Sequence, residues 1–204
     1  EAIFSQDGIL AADVEGYTAR PDQLALARAI QEALDQRCCL VTEAGTGTGK
    51  TFAYLVPALL NRSRVIISTG TKTLQEQLYQ RDIPMVRAAL KVPVAIALLK
   101  GRSNYLCHSR LERELQRDRY ESRQDIHYLG LIRSWRDRTS TGDLSELTSV
   151  PEDAPIRSRV CSHPDTCLGG ECDHIGDCYL AQARKTAQEA DVVVVNHHLL
   201  FADL

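Results

Sequence analysis

Glu43-Ala44-Gly45-Thr46-Gly47-Thr48-Gly49-Lys50-Thr51 sets a glycine-rich turn and a Lys-Thr pair directly after an apolar run. Cys38-Cys39-Leu40-Val41 reads as a buried strand and Phe52-Ala53-Tyr54-Leu55-Val56 as the start of a helix, so the loop between them can aim backbone N–H groups at a polyphosphate. The chemistry this predicts is nucleoside triphosphate binding, with Lys50 at the β- and γ-phosphates and the Thr51 hydroxyl on Mg²⁺. The strict pattern G-x-x-x-x-G-K-[ST] begins with glycine where this chain has Ala44, and a small residue is sufficient there.

A second group of residues is suited to a metal centre. Cys167-x4-Cys172-x5-Cys178 follows, at a distance, Cys107 in Leu99-Lys100-Gly101-Arg102-Ser103-Asn104-Tyr105-Leu106-Cys107. In a chain read as intracellular, clustered thiols point to metal ligation ahead of disulfides. Zinc and an iron–sulfur cluster both remain open on spacing: only the first gap fits a zinc knuckle, and a [4Fe-4S] cluster accepts four thiolates at looser intervals. His163 and His174 keep a mixed zinc site open, and Cys161 is a fifth, spare thiol. Cys38 and Cys39 read as core residues of the first strand.

The elements that must position these groups follow from the apolar pattern. Leu24, Ala27, Ile30, Ala33 and Leu34 have helical spacing behind Pro21 and Asp22, which predicts an amphipathic helix ahead of the phosphate loop. Val65-Ile66-Ile67-Ser68, Val94 to Leu99 and Val192-Val193-Val194-Val195 read as further strands, with a helix through Leu74 and Leu78. Continuous β-branched runs separated by helices predict an α/β fold, a parallel sheet with helices on both faces. Residues 101–180 break that pattern and read as a mainly helical insertion, with Trp135 anchoring a satellite core. The expected domains are 1–100, the insertion 101–180, and a return to the first domain over 181–204.

The 204 residues suit an α/β domain with a substantial core. With 27 acidic and 24 basic side chains there is no bulk positive charge, but the distribution is uneven. Residues 36–99 carry eight basic and three acidic side chains, and 139–204 carry four and eleven. The basic zone from Arg62 to Arg138 could follow a phosphate backbone, although mixed stretches such as Arg110-Leu111-Glu112-Arg113-Glu114 also suit a solvated helix face. No apolar run approaches the ~20 residues of a membrane span, and no leader is apparent, so the expectation is a cytoplasmic protein with no membrane partner. The absent initial Met and the ending just after a strand signal read as a piece of a longer chain.

The phosphate loop, Ser68-Thr69-Gly70-Thr71-Lys72-Thr73-Leu74-Gln75-Glu76-Gln77-Leu78, the segment ending at Cys107, and Asp191 through Asn196-His197-His198 together resemble the DinG/YoaA branch of the XPD-like superfamily 2 DNA helicases. The resemblance covers nearly the whole chain and implies a RecA-like motor domain carrying an inserted iron–sulfur domain. It implies ATP and Mg²⁺ held by Ala44, Gly45, Thr46, Gly47, Thr48, Gly49, Lys50 and Thr51, with Arg20 and Gln23 as the adenine-recognising motif. Cys107, Cys167, Cys172 and Cys178 match the [4Fe-4S] ligands, and Thr69, Thr71 and Gln77 fall in the motif that touches the DNA backbone. Asn196-His197 is equally readable as a functional pair or as a polar exit from the sheet.

The implied protein moves 5′→3′ on single-stranded or fork DNA in repair or replication, as a monomer, with replication or repair proteins as possible partners. The family's Asp-Glu-Ala-His box does not occur before Leu204, nor does a second motor domain, so the expectation is that this stretch alone binds nucleotide weakly and does not turn it over. The competing expectation is a zinc-stabilised nucleic-acid-binding module with a non-hydrolytic nucleotide site.

Overall fold

The computed structural model describes residues 2–61, 63–117, 119–120 and 122–202. Arg62, the first residue of the predicted basic zone, and Leu204 lie outside the described residues. In chain order the elements are α1 (Ile9–Asp13), α2 (Pro21–Gln36), α3 (Lys50–Leu60), β1 (Val65–Thr69), α4 (Lys72–Gln77), a π-helical turn Leu78–Asp82, and α5 (Ile83–Leu90). They continue as β2 (Ile96–Leu98), α6 (His108–Leu115), α7 (Arg123–Arg136), α8 (Pro155–Val160), α9 (Tyr179–Glu189), β3 (Val192–Asn196) and α10 (His197–Ala202). The chain divides into two compact units, 1–98 with 189–204, and 99–188.

The first unit is built on a parallel sheet of strand order β1-β3-β2. β3 pairs Val192–Asn196 with Val65–Thr69 on one side and Val192–Val194 with Ile96–Leu98 on the other. Four successive valines of β3 are buried, which is what a strand covered on both faces requires. Leu55, Val56 and Leu59 of α3 and Ile83 and Val86 of α5 fill the same core. α2 begins with Pro21 in its first turn and Asp22 at the positive end of the dipole, and it ends at Arg37 in the left-handed region.

One strand expectation is corrected. Residues 38–45 form no strand among the described residues, Val41 is 91% exposed, and Cys38 and Cys39 are exposed rather than core. Strand character depends on a neighbour that supplies N–H and C=O partners, and none of the three strands pairs with this segment. Local apolarity does not create that neighbour.

The second unit has its own core of Leu111, Ile132, Leu147, Ile156 and Val160, all essentially inaccessible, with Trp135 partly buried against it. Its helices are separate, α6 and α7, where the sequence reads as one largely helical stretch. Short backbone bridges pair Tyr105 with Asp143 and Leu106 with Cys161. Lys100, 3% exposed, joins Asp143 at 2.6 Å and donates to the Ser145 hydroxyl at 2.9 Å. Arg157 donates to the carbonyls of Leu144, Leu147 and Val150 and thereby fixes the turn between α7 and α8; burial lowers its guanidinium pKa.

Gly142 has φ +61°, and a Cβ there would overlap the Tyr179 ring. Gly142→Ala is therefore expected to destabilise the protein by on the order of 3 kcal/mol, from backbone strain and overpacking together. Gly130, inside α7 with open space around it, gives the opposite sign: Gly130→Ala should stabilise by roughly 0.5–1 kcal/mol. Urea denaturation of the two variants checks both.

Candidate functional site

The glycine loop lies in the first unit and ends on α3. Gly47 and Gly49 have φ of 80° and 78°, a region that suits residues without a Cβ, and Gly49 caps the helix. Four loop carbonyls are taken by side-chain donors. Lys50 Nζ donates to Ala44 O at 2.8 Å and to Gly45 O at 2.6 Å, and Thr48 Oγ1 also donates to Gly45 O. The Arg20 guanidinium donates to Gly47 O, and Gln23 Nε2 donates to Gly49 O at 3.0 Å.

Among the described residues, no backbone N–H from Gly45 to Lys50 donates to a protein acceptor. These groups and the positive end of an eleven-residue helix are free for an anion. Lys50 is exposed, and Thr46 and Gly47 with it, while Thr51 is half-buried. Tyr54, one turn further along α3, has its pKa pushed up to about 12 by burial, with Asp82 adding to the rise and a hydrogen bond to Thr51 opposing it.

Gln23 is not an exposed residue of a first helical turn. It is 2% exposed, and the Tyr17 hydroxyl donates to its Oε1 at 2.8 Å while its amide holds Gly49. Tyr17 was not singled out by sequence. The only available signal was its position six residues before Gln23, on the same short segment as Arg20.

The segment after β1 is arranged around hydroxyls. Thr69 is buried and donates to Thr71 O at 3.0 Å; Thr71 Oγ1 accepts from Leu74 N at 3.2 Å and caps α4. Gln77 is half-buried, with Nε2 donating to Asp82 at 3.0 Å, so its amide faces the protein. Gln75, fully buried, donates to Val194 O and ties α4 to β3.

The four sequence-matched cysteines all lie in the second unit and line one cavity of about 470 Å³. Cys107 is the residue immediately before α6. Three one-turn 3₁₀ helices, Pro164–Thr166, Gly169–Glu171 and Ile175–Asp177, each end on the next cysteine, Cys167, Cys172 and Cys178 respectively. Burial pushes the Cys107 thiol up; the Arg110 N–H pulls it down, and the nearby Cys178 sulfur raises it again. Cys161 does not line the cavity: it is buried, and its thiol donates to Ser158 O.

His108 and His174 also face the cavity, with Nε2 of His174 on Glu112 at 3.0 Å and Nε2 of His108 against Asp177 O at 3.1 Å. His163 pairs with Asp165 and does not line it. Among the described residues no three His, Cys, Asp or Glu side chains are grouped so as to hold one metal ion.

Arg110, in the stretch readable either as a phosphate-following zone or as a solvated helix face, crosses to Arg159 O, Ser158 O and Thr166 Oγ1 at 2.8–2.9 Å, and so fixes the turn that presents Cys167. Arg159 binds Asp125 at 2.7 Å. Arg113, Arg119, Arg123 and Arg133 remain exposed for other partners.

The DEAD/DEAH box helicase family profile matches residues 22–124, which include Gln23, the whole phosphate loop and Cys107. The chain belongs to the DEAD/DEAH box helicase family. It is 46% identical over 202 residues to the ATP-dependent DNA helicase YoaA of Haemophilus influenzae, covering 99% of this chain and 32% of that protein. It is 49% identical over 201 residues to YoaA of Escherichia coli, covering 98% and 32%. A more distant match, 32% over 194 residues, is the 3′-5′ exonuclease DinG of Bacillus subtilis, covering 92% and 20%. The chain thus spans about a third or less of the length of these curated relatives. These matches make the chain a YoaA/DinG-like fragment. No helix among the described residues is long and apolar enough to cross a membrane.

Gln23, itself buried, supports the glycine loop through two part-buried hydrogen bonds, so Gln23→Leu should destabilise the first unit by about 1–3 kcal/mol, the cost of leaving the partner groups less well satisfied. A lowered thermal midpoint together with weaker binding of a fluorescent ATP analogue checks it.

Proposed function

We propose that this chain is the nucleotide-binding first part of an ATP-dependent DNA helicase that also holds a [4Fe-4S] cluster. The observation that carries the reading is the convergence of Cys107, Cys167, Cys172 and Cys178 on one cavity in a chain that also carries the helicase phosphate loop. Four thiolates can hold a polyatomic iron–sulfur centre, and the cavity these cysteines line has room for one.

On this reading ATP approaches the free N–H groups of residues 45–50. Lys50 leaves the Ala44 and Gly45 carbonyls for the β- and γ-phosphates, and Thr51 offers its hydroxyl to Mg²⁺. Arg20 and Gln23 keep the loop's shape from behind and stand where the adenine would be recognised. Thr69 and Thr71 serve the DNA backbone, and Gln77 supports them through Asp82. Cys107, Cys167, Cys172 and Cys178 would hold the cluster, which would supply a covalent pin between the start of α6 and the segment from Cys167 to Cys178. Arg110, Arg157 and the Lys100–Asp143 pair hold the surrounding turns so that the four thiols face one space.

Bound DNA is single-stranded or forked, movement is 5′→3′ as in the family it resembles, and the working protein is a cytoplasmic monomer acting in replication or repair. The second unit, residues 99–188, is the iron–sulfur domain and the first unit the RecA-like motor.

In the full-length protein, purified without oxygen, Cys172→Ser should remove iron, acid-labile sulfide and the brown absorbance, and unwinding should fall with them. Stoichiometric zinc in colourless wild-type protein would instead support a zinc-stabilised binding module. Lys50→Ala should lower DNA-stimulated ATP hydrolysis by roughly 10²-fold or more while iron content is unchanged. Phosphate-release kinetics and iron analysis on the same preparation read both.

A further inference from the structure

Asn196-His197 closes the central strand and remains outside the function assigned so far. Its two residues have different tasks. Asn196 Oδ1 accepts from Leu199 N at 2.7 Å and caps α10, so its role is local. His197 reaches across instead: its Nδ1 lies 2.7 Å from Ser68 Oγ at the end of β1, and its ring stands 3.8 Å from where a Cβ on Gly70 would be. The Phe201 ring lies 6.1 Å away on the same helix.

These contacts bear on the loop Ser68 to Thr71. The hydroxyls of that loop are held by short-range bonds, Thr69 to Thr71 O and Thr71 to Leu74 N. The β1–β3 ladder fixes the backbone of Ser68 and Thr69, and these bonds shape the turn that follows. The imidazole adds a side-chain tie at the point where the chain leaves the ladder, from the carboxyl end of β3, and carboxyl ends of parallel strands are where such sheets present ligands.

We propose that His197 is a positioning residue for nucleic-acid backbone binding, acting through Ser68 to hold the Ser68–Thr71 loop in its phosphate-contacting shape. The inference rests on the reading of this loop as a DNA contact given above. Ser68 can donate or accept, so the link holds with either tautomer of the ring. β3 is also the strand by which the chain returns from residues 99–188, so the same strand that closes the sheet sets the loop.

The test uses the full-length protein and measures ATP hydrolysis as a function of single-stranded DNA concentration. His197→Ala should raise the half-saturating DNA concentration by about three- to tenfold, the loss of one hydrogen bond's worth of ordering, with kcat at saturating DNA and the KM for ATP unchanged. His197→Asn, whose amide falls at the Nδ1 position, should restore binding; His197→Gln, whose amide falls nearer Nε2, should not. Ser68→Ala should match His197→Ala, and the double variant should lose no more than either alone. His198→Ala, an exposed neighbour on the same helix, should behave as wild type.

Additive losses in the double variant, equal behaviour of the Asn and Gln variants, or an equal loss in His198→Ala would overturn the inference. Hydrogen exchange on the wild-type protein separates it from the reading beneath it. If DNA slows exchange over residues 68–74 and His197→Ala leaves DNA half-saturation unchanged, only the positioning role fails. If DNA leaves exchange there unchanged, the loop is not a DNA contact, and both fall.

Discussion

β1 and β2 do not pair with each other; each is held in the sheet by β3. This ladder is the constraint on which the first unit depends, because Val192, the strand's first residue, lies 94 positions beyond Leu98, the last residue of β2. Folding must therefore close a long excursion before the sheet has its centre. The entropy of closing a loop grows only slowly with length, so an excursion of that size is tolerable. Its tolerance improves when the excursion is itself ordered. The second unit meets that need with a separate apolar core and with cross-links near its start, where Lys100, Tyr105 and Leu106 are tied to Asp143, Ser145 and Cys161.

Once the sheet exists, its polar ends acquire chemistry. The glycine loop has arranged its carbonyls toward Arg20, Gln23, Thr48 and Lys50, an internal solvation that satisfies its acceptors. A carbonyl offers Lys50 only a partial charge and a polyphosphate offers full ones, so under the proposed function the same lysine exchanges partners on nucleotide binding. The loop N–H groups are not consumed by this arrangement. The site is thus preorganised on its donor side and adjustable on its acceptor side.

How much of this was legible in the residues depends on whether the decisive interaction is local. The glycine loop, the α2 start at Pro21 and the valine run of β3 declare themselves through short-range rules, and the structure has elements at each. Residues 38–41 share the apolarity of a strand but depend on a distant neighbour, and the structure leaves them unpaired and exposed. The cysteines read as a set from their spacing, and the structure brings all four to the lining of one cavity. The arginines do not declare their partners. A charge in a sequence does not say which carbonyl it meets: Arg110 is bound to carbonyls 48 and 49 positions away, and Arg157 to carbonyls 7 to 13 positions back across a turn, where no periodicity could reveal them.

Those arginines change what the basic segment between residues 100 and 138 means. Part of its charge is spent inside the unit: Arg110 fastens the turn before Cys167, and Arg159, from the acidic segment that follows, draws Asp125 and Glu114 into the same network. A guanidinium whose N–H groups are on protein oxygens has fewer of them left for a phosphate, so raw charge counts overstate the direct contacts available to a nucleic acid. Arg113, Arg119, Arg123 and Arg133, all exposed, keep that capacity. Electrostatics in this unit therefore divides by burial, with satisfied arginines shaping the cysteine turns and solvated ones facing outward.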